Sequence, residues 1–139
     1  MNWLSWALLS AVFAAATAIL AKIGIKGIDS NLATAIRTTV ILLFTWGIAW
    51  GTGALGGVGL IPSRSWVFLV LSGIATGFSW LCYFRALSLG NASSVAPVDK
   101  LSVVFVILFA GLFLGEKITW IKGLGGLLIA AGAIILALA

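Results

Sequence analysis

The sequence predicts an all-α membrane protein with five transmembrane helices per chain, and three observations lead to that prediction. Hydrophobic residues make up 63% of the 139 residues and charged residues only 8%, whereas about a quarter of the residues in soluble domains are charged. A soluble chain of this length cannot hide so much apolar surface in one core. Five apolar runs of spanning length are separated by polar or glycine-rich breaks, and we expect them to form a single membrane domain over residues 1–139.

The first three predicted helices cover residues 3–21, 32–51 and 66–87. Tryptophans at the start of the first helix are typical of a membrane interface, and Lys22 closes that helix at its other end. The first run lacks the basic segment that begins a signal peptide, and four further spans follow it, so we expect it to be retained. A Gly-rich loop over residues 51–65 connects the second and third helices.

The fourth predicted helix covers residues 94–114, and the fifth covers residues 120–138. The fourth must begin before Leu101, because the apolar run from that residue onward rises only about 21 Å, less than the roughly 30 Å of a hydrocarbon core. We therefore expect Pro97 in its first turn, where the missing N–H has no partner to lose. Thr119 is the expected N-cap of the fifth helix. An odd number of spans places the two termini on opposite sides of the membrane.

Composition excludes several classes of function. The chain contains no His and one Cys, Cys82, which excludes imidazole chemistry, an internal disulfide and a self-contained zinc or iron–sulfur site. Its three acidic residues, Asp29, Asp99 and Glu116, are too scattered for a Mg²⁺ or Ca²⁺ site. The net charge of +5 comes from bases placed singly among apolar runs, which is typical of membrane edges rather than of nucleic-acid binding. We expect no enzyme, no catalytic residue, no metal, no cofactor and no nucleic-acid partner.

Polar side chains inside the spans are informative, because a polar group in lipid without a partner costs several kcal/mol. In the second and third predicted helices these side chains recur at spacings of three and four, so they share one face of each helix. Such a face lines a water-filled substrate path, or its hydroxyls bond the carbonyl four residues earlier or join neighbouring helices. The residues are Thr34 and Thr38 in the second helix, and Ser72, Thr76, Ser79 and Tyr83 in the third.

Four charged residues are expected near one surface of the membrane: Arg37, Arg85, Asp99 and Lys100. Each arginine lies several residues inside its predicted helix, from where it snorkels to the headgroups or faces the path. Asp99 complements the N-terminus of the fourth helix, or serves as counter-ion to an arginine, or forms a proton or cation site. These alternatives remain open, and the four residues form a candidate charge cluster on the path.

Four segments carry a resemblance to a known family. They are the aromatic stretch WLCYFRALSLG at residues 80–90, Val95-Ala96-Pro97 early in the fourth helix, the turn FLGEKIT at residues 113–119, and the Gly-rich fifth helix at residues 123–132. Together they resemble the EamA-type module of the drug/metabolite transporter superfamily over essentially the whole chain. The resemblance implies that Gly115, Glu116 and Thr119 form a structural turn.

Most members of this family carry two modules, arranged as an inverted repeat of ten helices, and this chain is similar to one module. The resemblance therefore implies half of a ten-helix transporter that works as a homodimer, antiparallel or parallel. It implies a multi-pass secondary transporter of a small metabolite or drug-like solute in the inner membrane, with a proton or a cation as candidate coupling ion. The alternative is a non-transporting small subunit that packs on a larger membrane partner.

Overall fold

The computed structural model describes residues 2–139, and its regular structure is entirely helical. Five stretches are long and apolar enough to cross a membrane, and the fourth of these contains two helices in succession. The prediction of an all-α chain with five spans is therefore confirmed. The helices are α1 (Trp3–Gly24), α2 (Ser30–Gly51), a 3₁₀ helix (Ala54–Leu60), α3 (Ser63–Leu89), α4 (Ala92–Asp99), α5 (Ser102–Phe113) and α6 (Trp120–Leu138).

Large apolar side chains are exposed along all five spans. No more than 11% of the most apolar window of each span is buried, and large side chains such as Leu43, Phe78 and Ile121 are 68%, 67% and 80% exposed. In water such a surface would be an aggregation hazard. In lipid it is the expected state, because hydrocarbon tails solvate these side chains, while helices satisfy the backbone hydrogen bonds internally.

Side-chain caps fix where two of the spanning helices begin. The Asp29 carboxylate accepts hydrogen bonds from the backbone N–H of Asn31 (2.9 Å) and of Leu32 (3.1 Å), so α2 begins two residues before its predicted start. The Thr119 hydroxyl accepts from the N–H of Lys122 (3.3 Å), which confirms Thr119 as the N-cap of α6. These caps satisfy N–H groups that have no partner within the helix.

The Gly-rich loop between the second and third spans also contains regular structure. Its central part forms the 3₁₀ helix Ala54–Leu60, which packs against α2. Gly53 opens this helix with a φ of 73°, a conformation that glycine adopts without the steric cost of a Cβ atom.

The fourth span differs from the prediction because it is broken. α4 begins at Ala92, two residues before the predicted start, which moves Pro97 from the first turn into the helix interior. There Pro97 has no N–H to donate to the carbonyl four residues earlier. The next bonds tighten to a 3₁₀ pattern, in which the Lys100 N–H donates to the Pro97 carbonyl at 3.0 Å. The single helix predicted for residues 94–114 is therefore corrected to α4 and α5 within one span.

The chain forms two compact units. One contains α1 as far as Lys22 together with Leu89–Ala139, and the other is Ile23–Ser88. In the first unit α6 packs against α4 and α5, and the Lys22 ammonium donates to the Gly90 carbonyl at 2.7 Å. In the second unit α2 and α3 meet through side chains. The expectation of one membrane domain stays a prediction.

Five spans predict that the two ends of every molecule lie on opposite sides of the membrane. The check is a chain with a different epitope tag at each end, inserted into sealed vesicles and treated with protease from outside. We expect each molecule to lose one tag and keep the other, whichever way it is oriented. Molecules that lose both tags or keep both would contradict the five-span topology.

Candidate functional site

The most distinctive side-chain arrangement in the unit Ile23–Ser88 surrounds an arginine. The guanidinium of Arg37 on α2 lies 4.5 Å from the centroid of the Trp80 ring and 5.3 Å from that of Phe84, both on α3. Tyr83 contacts Phe84 edge-on, with 6.4 Å between the ring centroids. A cation over aromatic faces is attracted by the ring quadrupoles, and the attraction grows when water is excluded. We call Arg37, Trp80, Tyr83 and Phe84 the arginine–aromatic cluster.

Helical periodicity places the aromatic rings of this cluster. Trp80, Phe84 and Leu87 are separated by four and three residues, so they lie on one face of α3. Phe84 is 3% exposed and Leu87 is fully buried, which identifies this face as the one packed within the unit. Sequence reasoning selected Arg37 and Tyr83 but missed Trp80 and Phe84. The available signal was the pair of aromatic residues four apart, on the helix that follows a span containing an arginine.

The threonines of the predicted polar faces bond their own helices. The hydroxyl of Thr34 donates to the Ser30 carbonyl, that of Thr38 to the Thr34 carbonyl, and that of Thr76 to the Ser72 carbonyl, each at 2.8 Å. These bonds satisfy the hydroxyl donors inside an apolar environment. The structure therefore favours the helix-bonding interpretation for these three threonines, whose hydroxyl hydrogens are already in use.

The serines on the same face of α3 behave differently. Ser72 and Ser79 are exposed on the surface of the chain, and their hydroxyls have no hydrogen-bond partner within residues 2–139. These two serines are exposed polar groups on a helix that is otherwise largely apolar, and half-buried Tyr83 lies on the same face. Exposed hydroxyls of this kind are stable beside water, a second polypeptide or a solute.

The remaining charged residues of the predicted path fall in different settings. Asp99 and Lys100 form an ion pair at 3.1 Å where α4 ends, and their side chains are 35% and 57% exposed. Within its own unit the Asp99 carboxylate is therefore paired with the neighbouring lysine. Arg85 on α3 is exposed, and its carbonyl accepts a hydrogen bond from the Ser88 hydroxyl at 2.7 Å.

The turn between α5 and α6 is held by its own residues. Gly115 has a φ of 68°, and the Glu116 N–H that follows donates to the Ala110 carbonyl at 3.1 Å, which satisfies an acceptor at the end of α5. The Glu116 carboxylate pairs with Lys122 of α6 at 3.3 Å. Thr119 caps α6 between these residues. These contacts connect the end of α5 to the start of α6, and the structural role expected for Gly115, Glu116 and Thr119 stays a prediction.

An apolar groove of about 240 Å³ lies between α5 and α6. Ile107, Ile118 and Leu127 are among the side chains that line it, and Lys122 is its one charged lining residue. Because Lys122 already pairs with Glu116, the groove offers little to orient a polar solute. Within residues 2–139 no three His, Cys, Asp or Glu side chains are grouped as metal ligands.

Comparison with known proteins identifies relatives over the whole chain. The model of the EamA-like transporter family matches residues 1–138. A protein of Sinorhizobium sp., described as an uncharacterized transporter in the cobO 3′ region, is 56% identical over 136 residues, which cover 98% of this chain and 96% of the relative. No solved structure is significantly similar to the chain.

The backbone of Gly115 generates a stability prediction. Gly115→Ala should lower the free energy of unfolding by about 1 kcal/mol, because a Cβ atom is disfavoured at positive φ. The matched control is Gly47→Ala in α2, where an added Cβ meets nothing within 4 Å and the alanine should stabilise the helix slightly. Denaturant unfolding in detergent micelles measures both. Equal stability of the two variants would contradict a structural role for the turn.

Proposed function

The chain belongs to the EamA-like transporter family, and we propose that it is a secondary transporter of a small metabolite or drug-like solute, working as a homodimer in the inner membrane. Family members are transporters, and five apolar spans make this chain a multi-pass membrane protein. Nearly all of residues 2–139 lie in helices or in the turns between them, so the candidate path is sought among the spans.

The observation that carries this proposal is the open polar face of α3. Ser72, Ser79 and Tyr83 recur at helical spacing along a span, and two of the three are exposed on the surface of the chain. Polar side chains turned toward lipid are costly, so a face of this kind is stable beside water or a solute. Trp80 and Phe84, which contact Arg37, lie on the adjoining face of the same helix, which supports a charge next to the proposed path.

A homodimer is proposed because one module supplies half of the cavity that two-module relatives build. The relative from Sinorhizobium is matched over 96% of its length, so it too is of single-module size. The apolar faces of the spans are exposed along most of the chain, which leaves ample surface for a second copy. Most oligomers are symmetric homo-oligomers, and twofold dimers are the commonest of them.

The decisive experiment is transport by the purified protein alone. Solutes that raise its unfolding temperature in detergent are selected first, and their uptake into proteoliposomes is then measured with and without an ion gradient. Uptake that requires this protein supports the transporter. The alternative, a small subunit of a larger membrane assembly, is supported if flux appears only when a partner protein is added.

The polar face of α3 predicts a pattern of chemical accessibility. In a Cys82→Ser background, cysteines placed at Ser72, Ser79 and Tyr83 should react with membrane-impermeant thiol reagents. Cysteines at Ile74 and Leu81, which lie on the opposite face of the helix and are also exposed on the chain, serve as matched controls and should not react. Equal labelling of both faces, or labelling of neither, would assign the serines to helix packing.

We further propose that the two copies are antiparallel. Inverted repeats allow one path to open alternately to each side, and two identical chains reproduce that symmetry when they insert in opposite directions. Orientation follows the Lys/Arg difference between the two sides. The amino-terminal side has Arg64, Lys117 and Lys122, and the other side has Lys22 and Lys26, with Arg37, Arg85 and Lys100 nearer the membrane. The amino-terminal side has more bases than the other side when Arg37, Arg85 and Lys100 are left out, and fewer when they are counted. Neither orientation is therefore favoured.

Added lysines should fix the orientation and stop transport. Gly56 and Gly59 lie in the 3₁₀ helix of the amino-terminal side, where an added Cβ atom meets nothing within 4 Å. Ile28 and Asn91 are exposed on the opposite side. Gly56→Lys with Gly59→Lys, and Ile28→Lys with Asn91→Lys, should each give one orientation and no flux, whereas co-expression of the two double variants should restore it. Flux by either variant alone would indicate a parallel dimer.

A further inference from the structure

The guanidinium of Arg37 has no anionic partner within the unit Ile23–Ser88. Within the unit Ile23–Ser88 it makes no ion pair and no hydrogen bond, and its contacts are with aromatic rings. Arg37 is half-buried, and none of its nitrogen atoms is both enclosed and unpartnered, so its N–H groups reach the surface of the chain. A charged group at membrane depth normally has a partner.

The position of the guanidinium argues against a simple contact with lipid headgroups. Arg37 lies seven residues into α2 from Ser30, about 10 Å along the helix axis. An arginine that snorkels extends toward the helix end and the headgroups. Here the guanidinium lies instead over Trp80, which is nine residues, or about 13 Å, from the end of α3 on the same side. The rings therefore hold the charge inside the span.

Contact with Trp80 and Phe84 leaves the hydrogen-bonding groups of the guanidinium available. The rings of these two residues carry no acceptor for its N–H groups. A guanidinium has a fork of N–H donors that binds a carboxylate or phosphate through two parallel hydrogen bonds. A cation that is held by these rings, with no anion in its own unit, therefore suits an oxyanion.

The charge balance of the unit favours an anion as well. Asp29 is the one acidic residue between Ile23 and Ser88, and its carboxylate is occupied in capping α2. The same unit has four bases, Lys26, Arg37, Arg64 and Arg85. No carboxylate on α2 or α3 is therefore available to bind a cationic solute. An excess of positive charge in surroundings of low dielectric constant attracts anions instead.

We propose that Arg37 is the anion-binding residue of the transport path, so that the solute is a small organic oxyanion, held at the edge of the guanidinium while Trp80 and Phe84 support its face. This inference rests on the proposed transporter function and names its substrate class. Arg37 binds the solute directly, and Trp80 is a positioning residue.

Binding is tested without transport, by unfolding of the purified protein in a neutral detergent at constant ionic strength. Chloride is replaced in steps by acetate, malate, benzoate or inorganic phosphate, and acetamide and benzamide are the uncharged counterparts. We expect at least one oxyanion to raise the unfolding temperature with a saturating dose dependence, and the amides to have no effect. Absence of stabilisation by every oxyanion would overturn the proposal.

Variants locate the effect at the arginine. Arg37→Gln should weaken oxyanion binding at least tenfold, and Arg37→Lys should weaken it less, because lysine keeps the charge but loses the fork. Trp80→Leu should weaken it several-fold. The matched control is Arg64→Gln, which removes an arginine that also contacts a ring, Phe68 at 5.8 Å, but lies at the start of α3. Equal losses in the Arg37 and Arg64 variants would overturn the proposal.

Two further experiments distinguish a lipid headgroup from a soluble oxyanion, and the anion site from the transporter function. If phosphatidylglycerol in phosphatidylcholine vesicles stabilises the protein through Arg37 and no soluble oxyanion does, the site is a lipid contact and the proposal is wrong. Oxyanion binding that depends on Arg37, in a protein without flux, would contradict the transporter function and leave the site intact. Flux of a cationic or neutral solute that is unchanged in Arg37→Gln would contradict the anion site alone.

Discussion

The absence of water inside the bilayer is the constraint on which the rest of the structure depends. Apolar side chains need no partner there, so the spans expose them freely. Every polar group, in contrast, must find a partner or lie beside water. The threonines of α2 and α3 donate to carbonyls of their own helices, the carboxylate of Asp29 caps α2, and Glu116 closes the turn before α6. Polar groups that have no partner within the chain are therefore the candidates for a functional role.

Two places depart from the rule in different ways. At Pro97 the fourth span loses one backbone hydrogen bond and tightens into a 3₁₀ turn, and the ion pair of Asp99 and Lys100 lies at that break. Broken helices within spans are tolerated where the released backbone is buried in protein or faces a water-filled cavity. In the arginine–aromatic cluster the backbone is regular, and the unmatched element is a side-chain charge. One departure concerns backbone geometry and the other concerns electrostatics.

The sequence was sufficient for the features that depend on local chemistry. Apolar run length predicts five spans, and the hydroxyl of Thr119 next to the start of an apolar run predicts its cap. The break at Pro97 was missed because it depends on where α4 begins: a shift of two residues at Ala92 changes a harmless proline into an interior one. The rings beside Arg37 were missed because pairing between helices is not encoded in the periodicity of either helix alone. Periodicity indicates which residues share one face of a helix, but the packing of the helices determines which residues that face contacts.

The position of Arg37 along its span bears on the proposed antiparallel dimer. Arg37 lies seven residues from one end of α2 and fourteen from the other, so a single copy places its charge inside the span and to one side of the midplane. Two copies in opposite orientations would place one arginine–aromatic cluster on each side of the midplane, related by the symmetry of the dimer. An oxyanion crossing such a dimer would meet a fixed cation on either half of its path, where the loss of hydration is costly. Two equivalent sites would make binding from one side and release on the other symmetric. In the proposed antiparallel dimer, Arg37 of each copy would therefore serve one half of an alternating-access cycle.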